Sequence, residues 1–376
     1  MNILVICEYG LYQDFSSSFV HAQAREFARL GHQVRVLVPI AWGKTMWSQG
    51  RWKAQPFFRD QVEIVPLRHL SLSNYGKGWW NHRAAYLAAL RYGSRGKNRA
   101  WVPDVIHAHT VGSASYMGGC LKKQFRCPLV ITTHGSDVSI PYEQGRLARL
   151  RPLCAQADAI VAVSSALAEK VRAMGAKVPV RVILNGFQAR HLPTDCRKIP
   201  HSIIQVGHLL KQKRVSTTIE AFAAIRESYA DATLTIVGSG PERAHLEAQC
   251  EALHISPWVR FLGQILNASV LEELAKHQFF ILPSVREGFG IVYLEAMAAG
   301  CITIGTQGEG ISDFIRNGEN GYLVPPDSPQ SIAQTVLHCL DHPEESSAAA
   351  LRGQTDARNQ TWEKNARAYL FLFKSL

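Results

Sequence analysis

Short apolar runs alternate with segments of helical periodicity along most of this chain. A strand buried on both faces of a parallel sheet has a continuous apolar sequence, and the helices between such strands are amphipathic. A helix is predicted over 19–30, closed by Gly31, and the strand that starts at Val34 is expected to end at Pro39. Further strands in the first half are predicted at 3–6, 105–108, 129–132 and 159–163.

The pattern breaks after Asn185-Gly186 and restarts near residue 202. The intervening segment, 187–200, is polar and is the predicted linker. A helix is expected from Ser216, its predicted N-cap, to residue 227. The strands predicted in the second half are 202–206, 234–237, 279–282, 303–304 and 322–324.

This alternation predicts an α/β fold with two Rossmann-like domains facing a cleft. The expected domains are 1–186 and 187–376. An apolar-faced helix near 360–376 belongs either to the second domain or crosses back to the first. Ligands of such sheets bind at the carboxyl ends of the strands, so the loops there are the first candidates for a site.

Composition narrows the class of protein. The chain has 376 residues and a net charge of +11, which favours an anionic partner. The cations are spread along the chain and no nucleic-acid module is recognisable, so nucleic acid is not the expected partner. No apolar run has the length of a membrane span, and the apolar start is expected to be a strand rather than a signal peptide. Eight cysteines without a Cys-x-x-Cys pair indicate reduced core residues in a cytosolic protein.

The region 40–103 differs from the rest of the first half. It contains six of the eight tryptophans, Trp42, Trp47, Trp52, Trp79, Trp80 and Trp101, among many Lys and Arg residues. This mixture suits an anionic membrane surface, a lipid-linked acceptor or stacking on sugars. Alternatively, the tryptophans pack an irregular insertion. Both interpretations stay open, and with them a location at the inner membrane face.

A glycine-rich turn joins a predicted strand to a predicted helix near residue 290. Gly288 and Gly290 let the backbone approach a ligand, and the helix predicted over 291–299 presents free N–H groups that suit a phosphate. Glu287 lies before this helix and Glu295 lies about one turn inside it. Carboxylates accept hydrogen bonds from hydroxyls, so the turn predicts a site for a sugar or ribose beside a diphosphate. The alternative is an ordinary turn with both carboxylates solvated.

A second loop supports the ligand-binding interpretation. Gly207 follows the first strand of the second half, and Lys211 and Lys213 come shortly after it. Cations at this position suit a diphosphate. Because Lys213 and the two glutamates are expected at the same edge of one sheet, together they indicate a binding site more strongly than each does alone.

The chain resembles the GT-B fold glycosyltransferases of the large retaining family GT4, the glycosyl transferases group 1. In the second half the resemblance rests on the motifs at 206–213, 236–242, 261–265, 287–295 and 317–324. In the first half it rests on the motifs at 103–109, 133–137, 157–164 and 184–186. It covers most of the chain except about 40–100. The implied domains are an acceptor-side domain followed by a nucleotide-sugar domain.

The resemblance implies roles for individual residues. Glu295 would hold the ribose hydroxyls, Lys213 the diphosphate, and Ile265 the base through its main chain. Glu287 would lie beside the donor sugar. His134 would approach the same sugar from the opposite domain. The implied catalytic residues are His134, Glu287 and Lys213, and the implied acceptor-side residues are Ser16, His109 and Asp137. The implied donor-binding residues are Gly207, His208, Lys213, Arg214, Gly238, Ile265, Glu287, Gly288, Phe289, Gly290, Ile291, Val292 and Glu295.

The chain departs from the family pattern at three positions. His208 stands where the family usually has Arg, and Arg214 stands where a Gly usually follows the Lys. Gln188 replaces the Asp of the family's Asn-Gly-x-Asp motif. Arg214 is a candidate to replace the charge lost at His208.

The implied reaction moves a hexose-type sugar from a nucleoside diphosphate donor to a hydroxyl of a saccharide or lipid-linked acceptor. UDP is the commoner donor nucleotide in the family, and GDP is the next. A double displacement needs a carboxylate nucleophile, and the first half offers no convincing one. The resemblance implies same-face transfer with retention of configuration, without a metal or other cofactor. The implied setting is the synthesis of a cell-surface polysaccharide or glycolipid.

Three alternatives remain open. A sugar-nucleotide epimerase or a phosphorylase has similar architecture, although no pyridoxal-binding Lys is identifiable. The positive charge is compatible with a protein that binds anionic surfaces or nucleic acid. A catalytically silent homologue that acts as a scaffold is the third, suggested by His208.

Overall fold

The structure of the protein is a computed structural model. It describes residues 1–7, 19–42, 55–70, 87, 90–92, 101–188, 192–193 and 196–376. The chain forms two compact units. Unit 1 comprises Met1–Leu184 and Trp362–Leu376, and unit 2 comprises Asn185–Thr361.

In the described part of unit 1, one sheet contains eight strands. The strands are β1 Asn2–Ile6, β2 Gln33–Trp42, β3 Phe57–Arg59, β4 Val62–Leu70, β5 Val105–His109, β6 Leu129–Thr133, β7 Ala159–Ala162 and β8 Val180–Val182. Their order is β3-β4-β2-β1-β5-β6-β7-β8. All neighbours are parallel except β3 and β4. The helices described in full before unit 2 are α1 Phe19–Arg29, α2 Ser113–Phe125, α3 Ser136–Glu143, α4 Arg151–Cys154 and α5 Ser165–Ala173.

The predicted end of β2 at Pro39 is wrong. β2 continues to Trp42, and Pro39 pairs with Leu67 of β4. The register between β1 and β2 ends at Ile6 and Leu37. Beyond that point β2 is paired on the β4 side, so a residue without an N–H is tolerated.

The prediction of an irregular insertion over 40–103 is wrong for residues 55–70. This segment forms the β3–β4 hairpin, and Val62 and Ile64 are completely buried in the core of unit 1. The turn between the strands consists of Asp60 and Gln61, which both have positive φ, at 48° and 66°. Two such residues are typical of a tight hairpin turn.

Unit 2 contains a six-stranded sheet that is entirely parallel. Its strands are β9 Ile199–Val206, β10 Thr233–Val237, β11 Val259–Gly263, β12 His277–Ile281, β13 Ile302–Thr306 and β14 Tyr322–Val324. The order is β11-β10-β9-β12-β13-β14. From β9 the strands β10 and β11 are added on one side of the sheet, and β12, β13 and β14 on the other. The strand order therefore reverses between β9 and β12, which is where doubly wound sheets bind their ligands. The helices are α6 Val215–Ser228, α7 Arg243–Ala252, α8 Asn267–Lys276, α9 Ile291–Ala298, α10 Pro329–Asp341 and α11 Pro343–Asn359.

Ser216 is not the N-cap of α6, contrary to the prediction. The helix starts at Val215, and its cap is Arg214, which has a left-handed backbone with φ 51°. A short 3₁₀ turn, Lys211–Lys213, precedes this residue. The Ser216 hydroxyl instead contacts Glu220 one turn further on, at 3.3 Å. The linker is also shorter than predicted, because β9 begins at Ile199.

The last helix, α12 Trp362–Lys374, belongs to unit 1. Tyr369 and Phe373 lie in the same apolar core as Phe27 of α1. The Phe27 and Phe373 ring centroids are 5.8 Å apart. A buried hydrogen bond of 2.6 Å joins the Gln23 side-chain amide to the Asn365 side-chain oxygen. The chain end therefore completes the core of unit 1. Within the described part of the chain, no helix has the length and hydropathy needed to span a membrane.

Candidate functional site

The loops that follow β9, β10 and β12 touch one another at the carboxyl edge of the unit 2 sheet. The Leu209 N–H donates to the Ser239 carbonyl at 3.0 Å, and the Val285 N–H donates to the Gln212 carbonyl at 2.9 Å. Gly238 has φ +137°, and a Cβ there would lie 1.9 Å from the Gly207 carbonyl oxygen. The two loops thus need glycine at residue 238 to come this close, and they bring Gly207 and Gly238 together.

Lys213 and Glu287 form an ion pair at this edge. Their side chains keep only 18% and 17% of their surface exposed, so the pair is shielded from solvent. The amide of Gln205 donates to the Lys213 carbonyl at 2.9 Å, and the Glu287 N–H donates to a carboxylate oxygen of Glu309 at 2.9 Å. Gln205 and Glu309 therefore fix the two backbones. The sequence prediction missed both residues: Glu309 contacts Glu287 from another loop, and Gln205 lies in a strand buried among apolar residues.

The N-terminus of α9 closely follows Glu287 in the chain, and a Cβ on Gly290 would lie 3.2 Å from Glu287 Cγ. Gly290 caps the helix with φ 79°, and the first N–H groups of a helix lack intrahelical acceptors. Ile291 and Val292, half-buried, supply these groups. A Cβ on Gly310 would lie 2.1 Å from the Gly288 carbonyl oxygen, so the turn after β13 supports the backbone before α9. Phe289 is buried and anchors the turn.

Glu295 lies one turn into α9 and is half-buried. Burial raises the pKa of its carboxyl group, and the hydrogen bond from Asn267 opposes this shift. The Asn267 side-chain amide donates to Glu295 Oε1 at 3.2 Å. Asn267 begins α8, two residues after Ile265, which is also half-buried. Asn267 was not predicted, although its place beside Ile265 was a usable signal.

The other predicted cationic groups, Arg214 and His208, are not joined to Glu287. Arg214 forms an ion pair with Asp327, with one guanidinium nitrogen 3.1 Å from a carboxylate oxygen. His208 is exposed in the loop after β9. Of the predicted cationic groups, Lys213 is the one that the structure joins to Glu287.

Unit 1 brings His109 and His134 together. His109 Nδ1 and His134 Nε2 are 2.9 Å apart, and the two rings lie edge to edge and nearly parallel, with an interplanar angle of 9° and centroids 5.1 Å apart. Asp137 holds the loop that carries His134. Its carboxylate accepts hydrogen bonds from the N–H groups of His134 at 3.0 Å, Gly135 at 2.9 Å and Val111 at 3.0 Å. Asp137 therefore acts structurally on the loop, and burial raises the pKa of its carboxyl group.

His107 is a third member of this group that the sequence prediction did not single out as a site residue. Its ring centroid is 4.2 Å from that of His109. Burial lowers the pKa of His107 and of His134 to about 3 and that of His109 well below its usual value. The three imidazoles are therefore neutral at pH 7.

Several predicted residues fall outside the described part of the chain. They are Ser16, Trp47, Trp52, Trp79 and Trp80. Trp101 is described, and its indole N–H donates to the Gln33 side chain at 3.1 Å. The Arg35 guanidinium lies over the Trp101 ring, 4.4 Å from its centroid. This tryptophan packs against its own unit.

The part of the chain that the structure describes contains no group of three or more His, Cys, Asp or Glu side chains arranged to hold a metal ion.

Two family models match the chain. Residues 197–356 match "Glycosyl transferases group 1", and residues 16–190 match "Glycosyltransferase Family 4". The chain is 28% identical over 285 residues to a glycogen synthase of Mycobacterium tuberculosis, covering 73% of this chain and 68% of that protein. It is 26% identical over 342 residues to the putative teichuronic acid biosynthesis glycosyltransferase TuaC of Bacillus subtilis, covering 85% and 83%.

Solved structures of similar fold agree with the architecture. Anabaena Alr3699/HepE, solved in complex with UDP and glucose, matches with a TM-score of 0.76 at 19% identity over the full length of both chains. The sucrose-phosphate synthase of Thermosynechococcus elongatus matches with a TM-score of 0.80 at 18% identity, covering 100% of this chain and 98% of that one. The prediction of two parallel-sheet α/β domains is confirmed. The chain belongs to the GT-B glycosyltransferases of the GT4 type, described as glycosyl transferases group 1.

Proposed function

We propose that the protein transfers a hexose-type sugar from a nucleoside diphosphate sugar, with UDP as the first candidate, to a hydroxyl of a saccharide or lipid-linked acceptor. The reaction retains the configuration of the sugar and uses neither a metal nor another cofactor. The product belongs to a cell-surface polysaccharide or glycolipid. The enzyme works in the cytoplasm, with the inner membrane face as the candidate location of a lipid-linked acceptor.

One observation carries this proposal: the Lys213–Glu287 pair lies next to the N-terminus of α9 at the switch point of the unit 2 sheet. Helix N–H groups and a lysine ammonium both favour a diphosphate. Glu295, one turn further on, is a carboxylate acceptor for the ribose hydroxyls. Together these groups match the phosphate and the sugar parts of a nucleotide at one edge.

The names of similar proteins support the donor and the setting. TuaC of Bacillus subtilis is named for teichuronic acid biosynthesis, and WcaL of Salmonella typhimurium, 25% identical over 367 residues, for colanic acid biosynthesis. HepE of Anabaena has been solved with UDP and with UDP-glucose. A nucleotide sugar and a surface polysaccharide are therefore the first substrates to test.

The proposed chemistry is same-face substitution at the anomeric carbon. The bond from that carbon to the β-phosphate oxygen breaks, the bond to the acceptor oxygen forms, and the leaving diphosphate takes the acceptor proton. Lys213 and the N–H groups of Ile291 and Val292 would stabilise the charge that develops on the diphosphate. Glu287 would lie beside the sugar and keep Lys213 in place.

A catalytically silent homologue is the second candidate, and one observation favours it. Lys213 is neutralised by Glu287 and Arg214 by Asp327, and the family's Arg is replaced by the exposed His208. A diphosphate would therefore have to compete with carboxylates for both cations. Such a protein would bind partners without turning over a nucleotide sugar.

The test is a thermal-shift screen of the purified protein against UDP, GDP, ADP and their common sugar conjugates, with a metal chelator present. We expect a rise in melting temperature that is selective for one base. Glu295→Ala should abolish the rise, because the ribose hydroxyls lose their acceptor. The matched control is Glu251→Ala, which removes an exposed carboxylate in the last turn of α7 and should leave the rise unchanged.

Turnover distinguishes the two candidates. Release of the free nucleoside diphosphate from a sugar conjugate that gives a shift supports the enzyme. Binding without release, even with a panel of saccharide acceptors, favours the silent homologue. The absence of any nucleotide-dependent shift would reject the proposed donor site itself.

A further inference from the structure

The His109–His134 contact in unit 1 fixes the protonation of both rings. His109 Nδ1 and His134 Nε2 are 2.9 Å apart, a hydrogen-bond distance. Because both imidazoles are neutral at pH 7, one of these nitrogens carries a proton and donates the hydrogen bond, and the other accepts that bond with its lone pair. The geometry alone leaves two arrangements, which differ in the direction of the bond.

The second nitrogen of His109 decides between them. His109 Nε2 is buried and has no hydrogen-bond partner among the described residues. A buried N–H without an acceptor is a rarer and costlier defect than a buried lone pair without a donor. Nε2 is therefore the unprotonated nitrogen of His109, and its proton is on Nδ1. His109 donates to His134 Nε2.

The same bond then determines the state of His134. Its Nε2 accepts the hydrogen bond from His109 Nδ1–H, so the neutral His134 ring carries its own proton on Nδ1. His134 is half-buried, whereas His107 and His109 are fully buried, so His134 is the member of the group that a ligand can reach. The Phe19 ring, with its centroid 4.6 Å away, packs against His134, and Asp137 holds the His134 backbone N–H. Phe19 thus fixes the ring of His134, Asp137 fixes its backbone, and His109 fixes the position of its proton.

We propose that His109 is a positioning residue that fixes His134 as the neutral Nδ1–H tautomer, so that His134 offers a hydrogen-bond donor to an oxygen of the sugar substrate. His134 then does not act as a general base. Its Nδ1 already carries a proton, and its Nε2 is occupied by His109. The inference rests on the proposed function in so far as the oxygen is that of a sugar.

A polar layer behind His109 supports this arrangement. His107 Nε2 lies 2.8 Å from the Thr132 hydroxyl, and that hydroxyl lies 2.9 Å from the hydroxyl of Tyr369 in α12. The His107 ring also packs on His109, with a centroid distance of 4.2 Å. His109 thus lies between His107 and His134, in contact with both rings.

The experiment measures the tautomer directly. The full-length protein is labelled with ¹⁵N-histidine, and long-range ¹H–¹⁵N spectra separate the Nδ1–H, Nε2–H and cationic forms of each ring. The chain has 15 histidines, so the His134 signals are assigned by their loss in His134→Gln. We expect the Nδ1–H form for His134 at pH 7. An Nε2–H or cationic His134 overturns the proposal.

Two variants test the role of His109. His109→Phe keeps an aromatic ring but removes the donor, and we expect His134 to move to an Nε2–H form or a mixture. His109→Asn places an amide N–H near the position of the lost Nδ1–H, and we expect the Nδ1–H form to persist. An unchanged His134 spectrum in a folded His109→Phe overturns the proposal. If that variant does not fold, the spectrum of the wild-type protein still decides it.

The tautomer and the reaction are read separately, so their failures can be told apart. If His134 is Nδ1–H but no nucleotide sugar is turned over, the proposed function fails and the tautomer assignment stands. In an active enzyme, His109→Phe should lower kcat by about tenfold or more with little change in the donor KM, and His109→Asn should recover most of it. Equal losses in both variants would contradict the positioning role.

Discussion

Single residues in unit 1 make this protein sensitive to acid. His107, His109 and His134 are held neutral because burial lowers their pKa values. In the unfolded chain the same imidazoles bind a proton near pH 6.5. Lowering the pH below about 7 therefore favours the unfolded chain, which binds more protons, and stability is lost progressively towards the folded pKa of about 3.

His107→Gln should reduce this acid sensitivity. A glutamine amide can keep a hydrogen bond to Thr132 and does not titrate. Between pH 7 and pH 5 the fall in the free energy of unfolding of unit 1 should be smaller by about 2 kcal/mol than in the wild type. Urea unfolding at the two pH values measures the difference. His245→Gln, at an exposed histidine in unit 2, is the control, and a wild-type pH dependence in His107→Gln would contradict the expectation.

At the scale of elements, the unit 2 site depends on turns that touch through their backbones. Gly310, in the 3₁₀ turn Gly310–Asp313 after β13, lies against the Gly288 carbonyl. Contacts of this kind leave no room for a side chain. The precision of the α9 N-terminus therefore comes from a turn about 20 residues further along the chain.

Gly310→Ala should destabilise unit 2 and weaken donor binding. The new Cβ would lie 2.1 Å from the Gly288 carbonyl oxygen and 2.9 Å from the Phe289 Cα, so backbone must move. We expect a loss of more than about 2 kcal/mol in urea unfolding and a smaller nucleotide-dependent rise in melting temperature. Gly308→Ala is the matched control. Residue 308 has φ +80° and no atom within 4 Å, so only backbone strain of about 1 kcal/mol is expected. Equal losses would contradict the steric argument.

Sequence patterns predicted the buried elements but not those set by distant contacts. The apolar runs 279–282 and 234–237 gave strands close to β12 and β10, because burial on both faces demands apolar residues. β3 and β4 were missed: their turn, Asp60-Gln61, contains no glycine despite two positive φ values. Pairing of β4 with β2 outweighs the proline at position 66.

The candidate site was predictable in part for the same reason. Glu287 and Glu295 were predictable because they flank a glycine-rich turn in the chain, and Lys213 because it follows the end of a strand. Glu309 and Asn267 come from other loops and carry no local pattern, so their contacts with the two glutamates appear only in the folded structure. The partner of Arg214, Asp327, was missed for the same reason.

At the scale of the whole molecule, the core of unit 1 needs the C-terminal helix. Phe373 is 5% exposed and its ring contacts Phe27, whereas Phe371 on the same helix is 79% exposed. Phe373→Ala should lower the free energy of unfolding of unit 1 by about 3–5 kcal/mol, because it leaves a cavity. Phe371→Ala makes the same chemical change at an exposed position and should cost less than about 0.5 kcal/mol.

Calorimetry of the intact chain measures both variants. The transition of unit 1 should shift in Phe373→Ala, and that of unit 2 should not, because residues 185–361 form their own core. A shift of both transitions by the same amount would mean that the two units unfold as one. A small effect of Phe373→Ala would show that α12 contributes little to the core.

Unit 1 consists of two separate segments of the chain, and this has a consequence for its folding during synthesis. The ribosome makes residues 1–184 before α12, with all of unit 2 between them. Unit 2 is continuous and can fold as soon as it has emerged, whereas the face of α1 that α12 covers stays uncovered until α12 has been made. Unit 1 is therefore incomplete until α12 has been made, and a chain terminated after residue 361 would expose that apolar face to chaperones and proteases.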